Sequence, residues 1–221
     1  MENNPCSAAA TLRITEIFYS LQGESRTAGY ATVFIRLTGC PLRCHYCDTT
    51  YAFKGGQSMS VDDIVAEVKK YNTHYVTVTG GEPLAQKNCH ALLTRLCDLD
   101  YEVSLETSGA LDISRVDKRV SCVMDLKTPA SGEESKNRYS NIELLKEKDQ
   151  LKFVICDRHD YEWSVDKINQ YDLLSRCEVF FSSSHQQLEP QQLADWILED
   201  QLGVRFQLQL HKYLWNDEPG R

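Results

Sequence analysis

No stretch of this 221-residue chain is apolar over the length needed to cross a bilayer, and the N-terminus lacks the basic-then-apolar pattern of a secretion signal. These absences leave no membrane span to assign and make the cytoplasm the expected compartment. Positive charge is also short: 24 Lys and Arg against 32 Asp and Glu give a net charge of −8. Gripping a long nucleic acid needs a basic surface, so neither nucleic acid nor membrane is an expected partner, and the balance suits an enzyme acting on a small molecule. Internal repeats and low-complexity tracts are missing as well. What remains, 42% hydrophobic and 25% charged residues, is ordinary for a globular domain long enough to bury a core. The expected organisation is a flexible tail over 1–12, through Ala8-Ala9-Ala10, and a single domain over 13–221.

Cysteine is the exception to this scarcity. There are nine, an odd number, and without a secretion signal they read as metal-binding or catalytic rather than as a disulfide framework. Cys6, Cys89, Cys97, Cys122, Cys156 and Cys177 stand singly and read as small buried hydrophobes or incidental residues. Cys40, Cys44 and Cys47 stand together.

Strand-like and helix-like segments alternate. Strands are expected at Ile14–Ser20, Ala31–Leu37, Tyr75–Thr79, Glu102–Glu106, Cys122–Lys127, Leu151–Ile155, Glu178–Phe181 and Val204–Leu210. Ser60 and Asp63 form a capping box for a helix over Ser60–Tyr71. Leu92, Leu96 and Leu99 mark a second helix, and Tyr161–Leu174 and Pro190–Glu199 two more, the last with Pro at its start. Ser131–Arg138 reads as an exposed loop. Such alternation implies parallel strands joined by crossover helices. The expected fold class is α/β, a partial TIM-like barrel of about six parallel strands, with a doubly wound open sheet as the alternative. Either way the site belongs at the carboxyl ends of the strands. There lie the cysteine loop, Gly80-Gly81-Glu82-Pro83, Thr107-Ser108-Gly109, Lys127 and His211. Ser182-Ser183-Ser184-His185 falls on the same rim.

The cysteines have the spacing C-x3-C-x2-C. Three thiolates can hold three irons of a four-iron, four-sulfur cubane and leave the fourth iron open, which favours chemistry over plain electron transfer. The competing reading is zinc, with His45 completing a Cys3His set. His45 is adjacent to Cys44, where reaching the same metal would strain the loop, and no second cysteine pair follows at zinc-ribbon spacing. With Tyr46 before the last cysteine, the segment resembles the radical S-adenosylmethionine (SAM) signature. That resemblance implies a cluster on Cys40, Cys44 and Cys47, and SAM held by Tyr46, Asp48, Gly81, Glu82, Ser108, Asp125 and Lys127. Glycines permit close backbone approach and a carboxylate suits an ammonium. Lys127 would pair with the SAM carboxylate; its bland alternative is an ion pair with Asp125 on the same face.

Glu16-Ile17-Phe18-Tyr19-Ser20-Leu21-Gln22-Gly23-Glu24, Phe34-Ile35-Arg36-Leu37-Thr38-Gly39-Cys40 and His211-Lys212-Tyr213-Leu214 resemble the 7-carboxy-7-deazaguanine synthase family of queuosine biosynthesis, from about Ile14 to Leu214. The resemblance implies a lyase that converts 6-carboxy-5,6,7,8-tetrahydropterin to 7-carboxy-7-deazaguanine with loss of ammonia, through a 5′-deoxyadenosyl radical supplied by the cluster and SAM, with no protein side chain as catalyst. It implies that Leu21, Gln22, Gly23 and Glu24 grip the pterin, that Arg36 pairs with its carboxylate, and that Thr79 and His211 face it. Thr49 would offer its hydroxyl to Mg2+, although a threonine after an aspartate is also a common turn residue. A homodimer and an electron donor such as a flavodoxin are implied too. Arg36 alone could instead be a surface or barrel salt bridge.

Independently of the family, Arg205, Gln207, Gln209 and His211 alternate with apolar residues. That pattern puts Gln207 or Gln209 beside His211 if the face looks inward, or makes a solvated face if the strand is an edge. Two departures stand out: Ser25 where the motif often has glycine, and a Trp215–Arg221 extension. The rival readings are a glycyl-radical-activating enzyme, which would need a peptide groove and often carries extra ferredoxin-like cysteines, and a non-catalytic zinc or iron–sulfur binding module.

Overall fold

The computed structural model describes residues 10–216, 218 and 220; Cys6 and most of the expected tail lie outside them. The strands are β1 (Thr11–Leu21), β2 (Ala31–Leu37), β3 (Gln57–Ser60), β4 (Tyr75–Gly80), β5 (Glu102–Thr107), β6 (Ser121–Asp125), β7 (Gln150–Ile155), β8 (Glu178–Ser183) and β9 (Arg205–Gln207). The helices are α1 (Val61–Val68), α2 (Cys89–Cys97), α3 (Arg158–Tyr171), α4 (Pro190–Glu199) and α5 (Leu210–Trp215). One sheet runs β3-β1-β2-β4-β5-β6-β7-β8-β9. From β2 through β9, with β3 standing apart at the other end, every neighbouring pair is parallel. The sheet is an open, partial barrel, and its parallel part is one strand larger than the expected six or so.

Three expectations are revised. β1 pairs antiparallel with both β2 and β3, so strand–helix alternation does not govern the N-terminal edge. The chain reverses from β1 to β2 through the Gln22–Tyr30 loop, closed by Gln22 N–H to the Tyr30 carbonyl at 2.9 Å. Secondly, β1 begins before residue 13: Thr11 opens it, and Leu12 is a core residue paired with Met59 of β3. Finally, the last strand stops at Gln207, and Leu210–Trp215 is a helix.

The helix starts follow local chemistry. The Ser60 hydroxyl accepts from the Asp63 amide at 3.1 Å and donates to the Asp63 carboxylate at 2.6 Å, the expected box at the start of α1. Pro190 sits in the first turn of α4, where its missing N–H leaves nothing unsatisfied. Core residues such as Ile35, Val78, Leu105, Leu151 and Phe181 are fully buried along the parallel strands, as strands covered on both faces require. Cys89, Cys97, Cys122, Cys156 and Cys177 are buried among them, in the hydrophobe role expected of them. Ser131 departs from the exposed loop anticipated there: it is fully buried and its hydroxyl donates to the Thr128 carbonyl at 2.6 Å. Among the described residues, no helix is long and apolar enough to cross a membrane.

The gap between β9 and the N-terminal edge is spanned by the segment after β1. Leu210 N–H donates to the Gly23 carbonyl at 3.0 Å, and the Gln207 amide to the Ser25 carbonyl at 3.2 Å. Ser25 has φ of +67° and is buried. This left-handed backbone explains why glycine suits the position.

Candidate active site

A cavity of about 610 Å³ opens at the carboxyl ends of the parallel strands, large enough for small-molecule reactants. Cys40, Cys44 and Cys47, all free and half-buried, line it together. Their loop leaves β2 and is pinned at once: Gly39 N–H donates to the Ala52 carbonyl at 2.8 Å and Glu82 N–H to the Gly39 carbonyl at 2.8 Å. A Cβ on Gly81 would collide with the Gly39 backbone and with the Cys40 side chain. Glycine at this strand end is what lets β4 close on the cysteine loop.

The outer side of the loop rests on the turn after β6. His45 N–H donates to the Ser131 carbonyl at 3.0 Å, and its Nδ1 lies 3.2 Å from the Ala130 carbonyl. The His45 ring is therefore engaged with this turn. No three His, Cys, Asp or Glu side chains among the described residues converge closely enough to share one metal ion. A single zinc needs such convergence, with every sulfur about 2.3 Å from the same centre. A cubane takes each thiolate on a different iron and so fits a wider set. Burial pushes the Cys40 and Cys44 thiols up, so loading metal releases protons.

Beside the cysteines, the same cavity is walled by paired charges. Lys152 Nζ lies 2.6 Å from Glu24 Oε2 and 3.4 Å from Asp125 Oδ1, and Lys127 Nζ lies 2.9 Å from Asp125 Oδ2. Gln209 donates to the other Glu24 oxygen at 2.7 Å. Burial alone would raise Glu24, but the Lys152 ammonium and these hydrogen bonds hold it below the usual carboxylate range. Glu106, reached by the Thr79 hydroxyl at 2.8 Å, is pushed up by burial and by the Glu24 charge. Arg36 pairs with Glu16 at 2.7 Å, and Lys212 pairs with Asp48 at 3.0 Å. Against the cost of burial, Lys212 and the Thr49 hydroxyl bring Asp48 down to about 2. Burial lowers His211 and keeps its imidazole neutral.

Residues 34–122 match the Radical SAM superfamily. A 7-carboxy-7-deazaguanine synthase from Chlorobaculum tepidum is 45% identical over 215 residues, covering 96% of this chain and 98% of that protein. The chain belongs to the 7-carboxy-7-deazaguanine synthase family. A second member, from Koribacter versatilis, is 44% identical over 222 residues, covering 94% of this chain and 98% of that one. The fold is that of QueE from Escherichia coli, with a TM-score of 0.76 at 20% identity over 91% of this chain and 95% of that one. As a member of this radical SAM family the chain is an enzyme whose cofactors are a four-iron, four-sulfur cluster and SAM.

The residues assigned to the cluster, SAM, Mg2+ and substrate all line this synthase-family cavity except Glu82. Leu21, Gln22, Gly23, Glu24, Arg36 and Thr79 come from β1, β2, β4 and the seam, the segment after β1 that bonds to Gln207 and Leu210, and His211 from α5. Tyr46, Asp48, Thr49, Gly81, Ser108, Asp125 and Lys127 surround the cysteines. Glu82 stands behind the wall, fully buried: its carboxylate accepts from Thr107 Oγ1 at 2.9 Å, Ser108 N–H at 2.7 Å and Leu84 N–H at 3.0 Å. It locks the ends of β4 and β5 together. Lys127 and Arg36 both hold the ion pairs foreseen as their bland alternatives, and both still line the cavity. The Thr49 hydroxyl donates to Asp48 at 2.9 Å.

The alternation at the end of the chain is resolved in favour of the inward face. Gln207 and Gln209 reach Ser25 and Glu24, while Arg205 stays exposed and pairs with Glu178. Ser182, Ser183, Ser184 and His185 line the cavity, as do Asn216, Glu218 and Gly220 of the C-terminal extension. Lys152, Glu106, Glu16 and Tyr51 were missed as site residues. Only Lys152 left a signal, a lysine between Leu151 and Phe153 in an apolar strand.

Proposed function

We propose that this cavity converts 6-carboxy-5,6,7,8-tetrahydropterin to 7-carboxy-7-deazaguanine, with ring contraction and loss of ammonia. The observation that carries this reading is one cavity lined by the three cluster thiols together with Arg36, Glu24, Gln22 and His211. When bound, the cluster and SAM supply a carbon-centred radical that takes hydrogen from the substrate. The chain's part is to hold, orient and screen from water. Arg36 presents a fixed fork to the substrate carboxylate. Glu24, held ionised, accepts from the ring N–H groups, and Gln22 and the Gly23 backbone hold the adjoining edge. Thr79 lies beside Glu106, and the neutral His211 imidazole closes the substrate side. Tyr46, Asp48, Gly81, Ser108, Asp125 and Lys127 contact SAM.

Thr49 would offer its hydroxyl to Mg2+, a hard cation that takes few protein oxygens and would supply positive charge beside the substrate. The remainder of the reading is a homodimer in the cytoplasm, a single domain from the start of β1 onward, and a flavodoxin-like electron donor. The test compares 6-carboxy-tetrahydropterin with the same pterin lacking the carboxylate, in wild type and Arg36→Met. The carboxylate should matter strongly in wild type and hardly at all in the variant. Equal use of both pterins by wild type would remove the substrate assignment.

A further inference from the structure

Lys152 sits mid-strand in β7 between Leu151 and Phe153, which are fully buried. Strand alternation turns Lys152 to the other face, where it lines the cavity with a charged side chain only 13% exposed. Its ammonium joins two groups from different elements: Glu24 of the seam at 2.6 Å and Asp125 at the end of β6 at 3.4 Å. Asp125 in turn holds Lys127 at 2.9 Å. With Gln209 on its second oxygen at 2.7 Å, Glu24 is fixed from both sides. Removing one member of such a pair strands a buried charge.

We infer that Lys152 is a positioning residue that sets the aim and charge of Glu24 toward the pterin. The inference rests on the reading of the cavity given above. Lys152 acts through Glu24: it offsets the carboxylate's burial cost and, with Gln209, fixes the plane in which the carboxylate's remaining lone pairs meet the substrate. Its contact with Asp125 keeps the substrate wall in register with the wall that carries Lys127.

The test is a double-mutant cycle on the reconstituted enzyme with Lys152→Met and Glu24→Gln, and with Lys152→Arg as the conservative variant. Lys152→Met is expected to raise the pterin KM roughly tenfold or more, the scale of a charge-assisted hydrogen bond, with a much smaller change in kcat. Glu24→Gln should do the same, and the double variant should be no worse than the poorer single one. Lys152→Arg should recover most of the loss. Where Lys152→Met does not fold, Lys152→Gln, which keeps a donor for Glu24, enters the same cycle. Additive losses, or an unchanged KM in an active Lys152 variant, would overturn the inference and leave the substrate reading standing. A wild type inert toward the pterin would instead overturn the reading itself.

Discussion

Arg36 and Glu16 face each other across the antiparallel β1–β2 register, with Nε donating to Oε1 at 2.7 Å. Tyr51 donates to the same oxygen at 2.8 Å, and the Arg36 guanidinium lies 5.7 Å from the Phe18 ring centre. The cation assigned to the substrate carboxylate is thus aimed before substrate arrives. Preorganisation of this kind reduces what must be ordered on binding. Glu16→Gln keeps an acceptor for Tyr51 but removes the charge. The expected result is a several-fold rise in pterin KM with kcat little changed, and a stability loss of about 1 kcal/mol or less, as for a partly exposed pair. Steady-state kinetics and a denaturant melt check both.

Gly23 leaves no room for a side chain: an added Cβ would run into the His211 ring. Gly23→Ala must therefore push α5 outward or bend the seam. A loss of about 1–3 kcal/mol is expected from such overpacking, together with a fall in turnover as His211 leaves the cavity. Thermal melting and turnover of the variant measure the two parts.

Asp160 on α3 is fully buried, and its carboxylate accepts from Thr128 Oγ1 at 3.0 Å, Ala130 N–H at 2.9 Å and Cys156 N–H at 3.0 Å. This fixes the turn on which His45 and the cysteine loop rest. Asp160→Ala strands the Ala130 and Cys156 N–H groups, while the Thr128 hydroxyl keeps the Val154 carbonyl, and is expected to cost about 2 kcal/mol or more. It should also lower the iron and sulfide retained per chain after reconstitution, although the residue touches no cysteine of the cluster loop.

The His211 shift carries a pH dependence. Burial lowers its folded value below the ordinary 6.5, so below that pH the unfolded chain binds more protons than the folded one. Its contribution is fully present above pH 6.5 and is lost as pH falls toward the folded value. His211→Gln should remove this part: compared with wild type, the variant's unfolding free energy should fall less between pH 7.5 and about pH 5. Parallel curves for the two proteins would contradict it.

Much of the site was legible because its chemistry is local. The C-x3-C-x2-C spacing, the Gly80-Gly81 turn and the Leu21–Glu24 segment each carry their signal within a few residues, and strand ends then gather them on one rim. β3 was missed because Gln57–Ser60 is short, polar and held only as an edge partner of β1. The end of the chain was misread because period-two alternation in Val204–Leu210 continues past the point where Leu210 bonds to Gly23 and α5 begins. The partners of Glu82 were not legible because a carboxylate beside two glycines gives no sign that Thr107 and Ser108 will enclose it. The pairings of Glu16 and Lys152 were hidden for a related reason: each meets its opposite charge only across segments distant in sequence, although Lys152 itself stands out in an apolar strand.

The central claim is that the three thiols and the charged wall serve one radical reaction on a pterin. The most direct measurement is anaerobic incubation of the reconstituted protein with SAM, dithionite, Mg2+ and 6-carboxy-tetrahydropterin, with both products assayed by mass. The account predicts 5′-deoxyadenosine and 7-carboxy-7-deazaguanine together, and neither from Cys40→Ala. Deoxyadenosine without the deazaguanine would contradict the substrate, and neither product from a colourless, zinc-containing wild type would contradict the account as a whole.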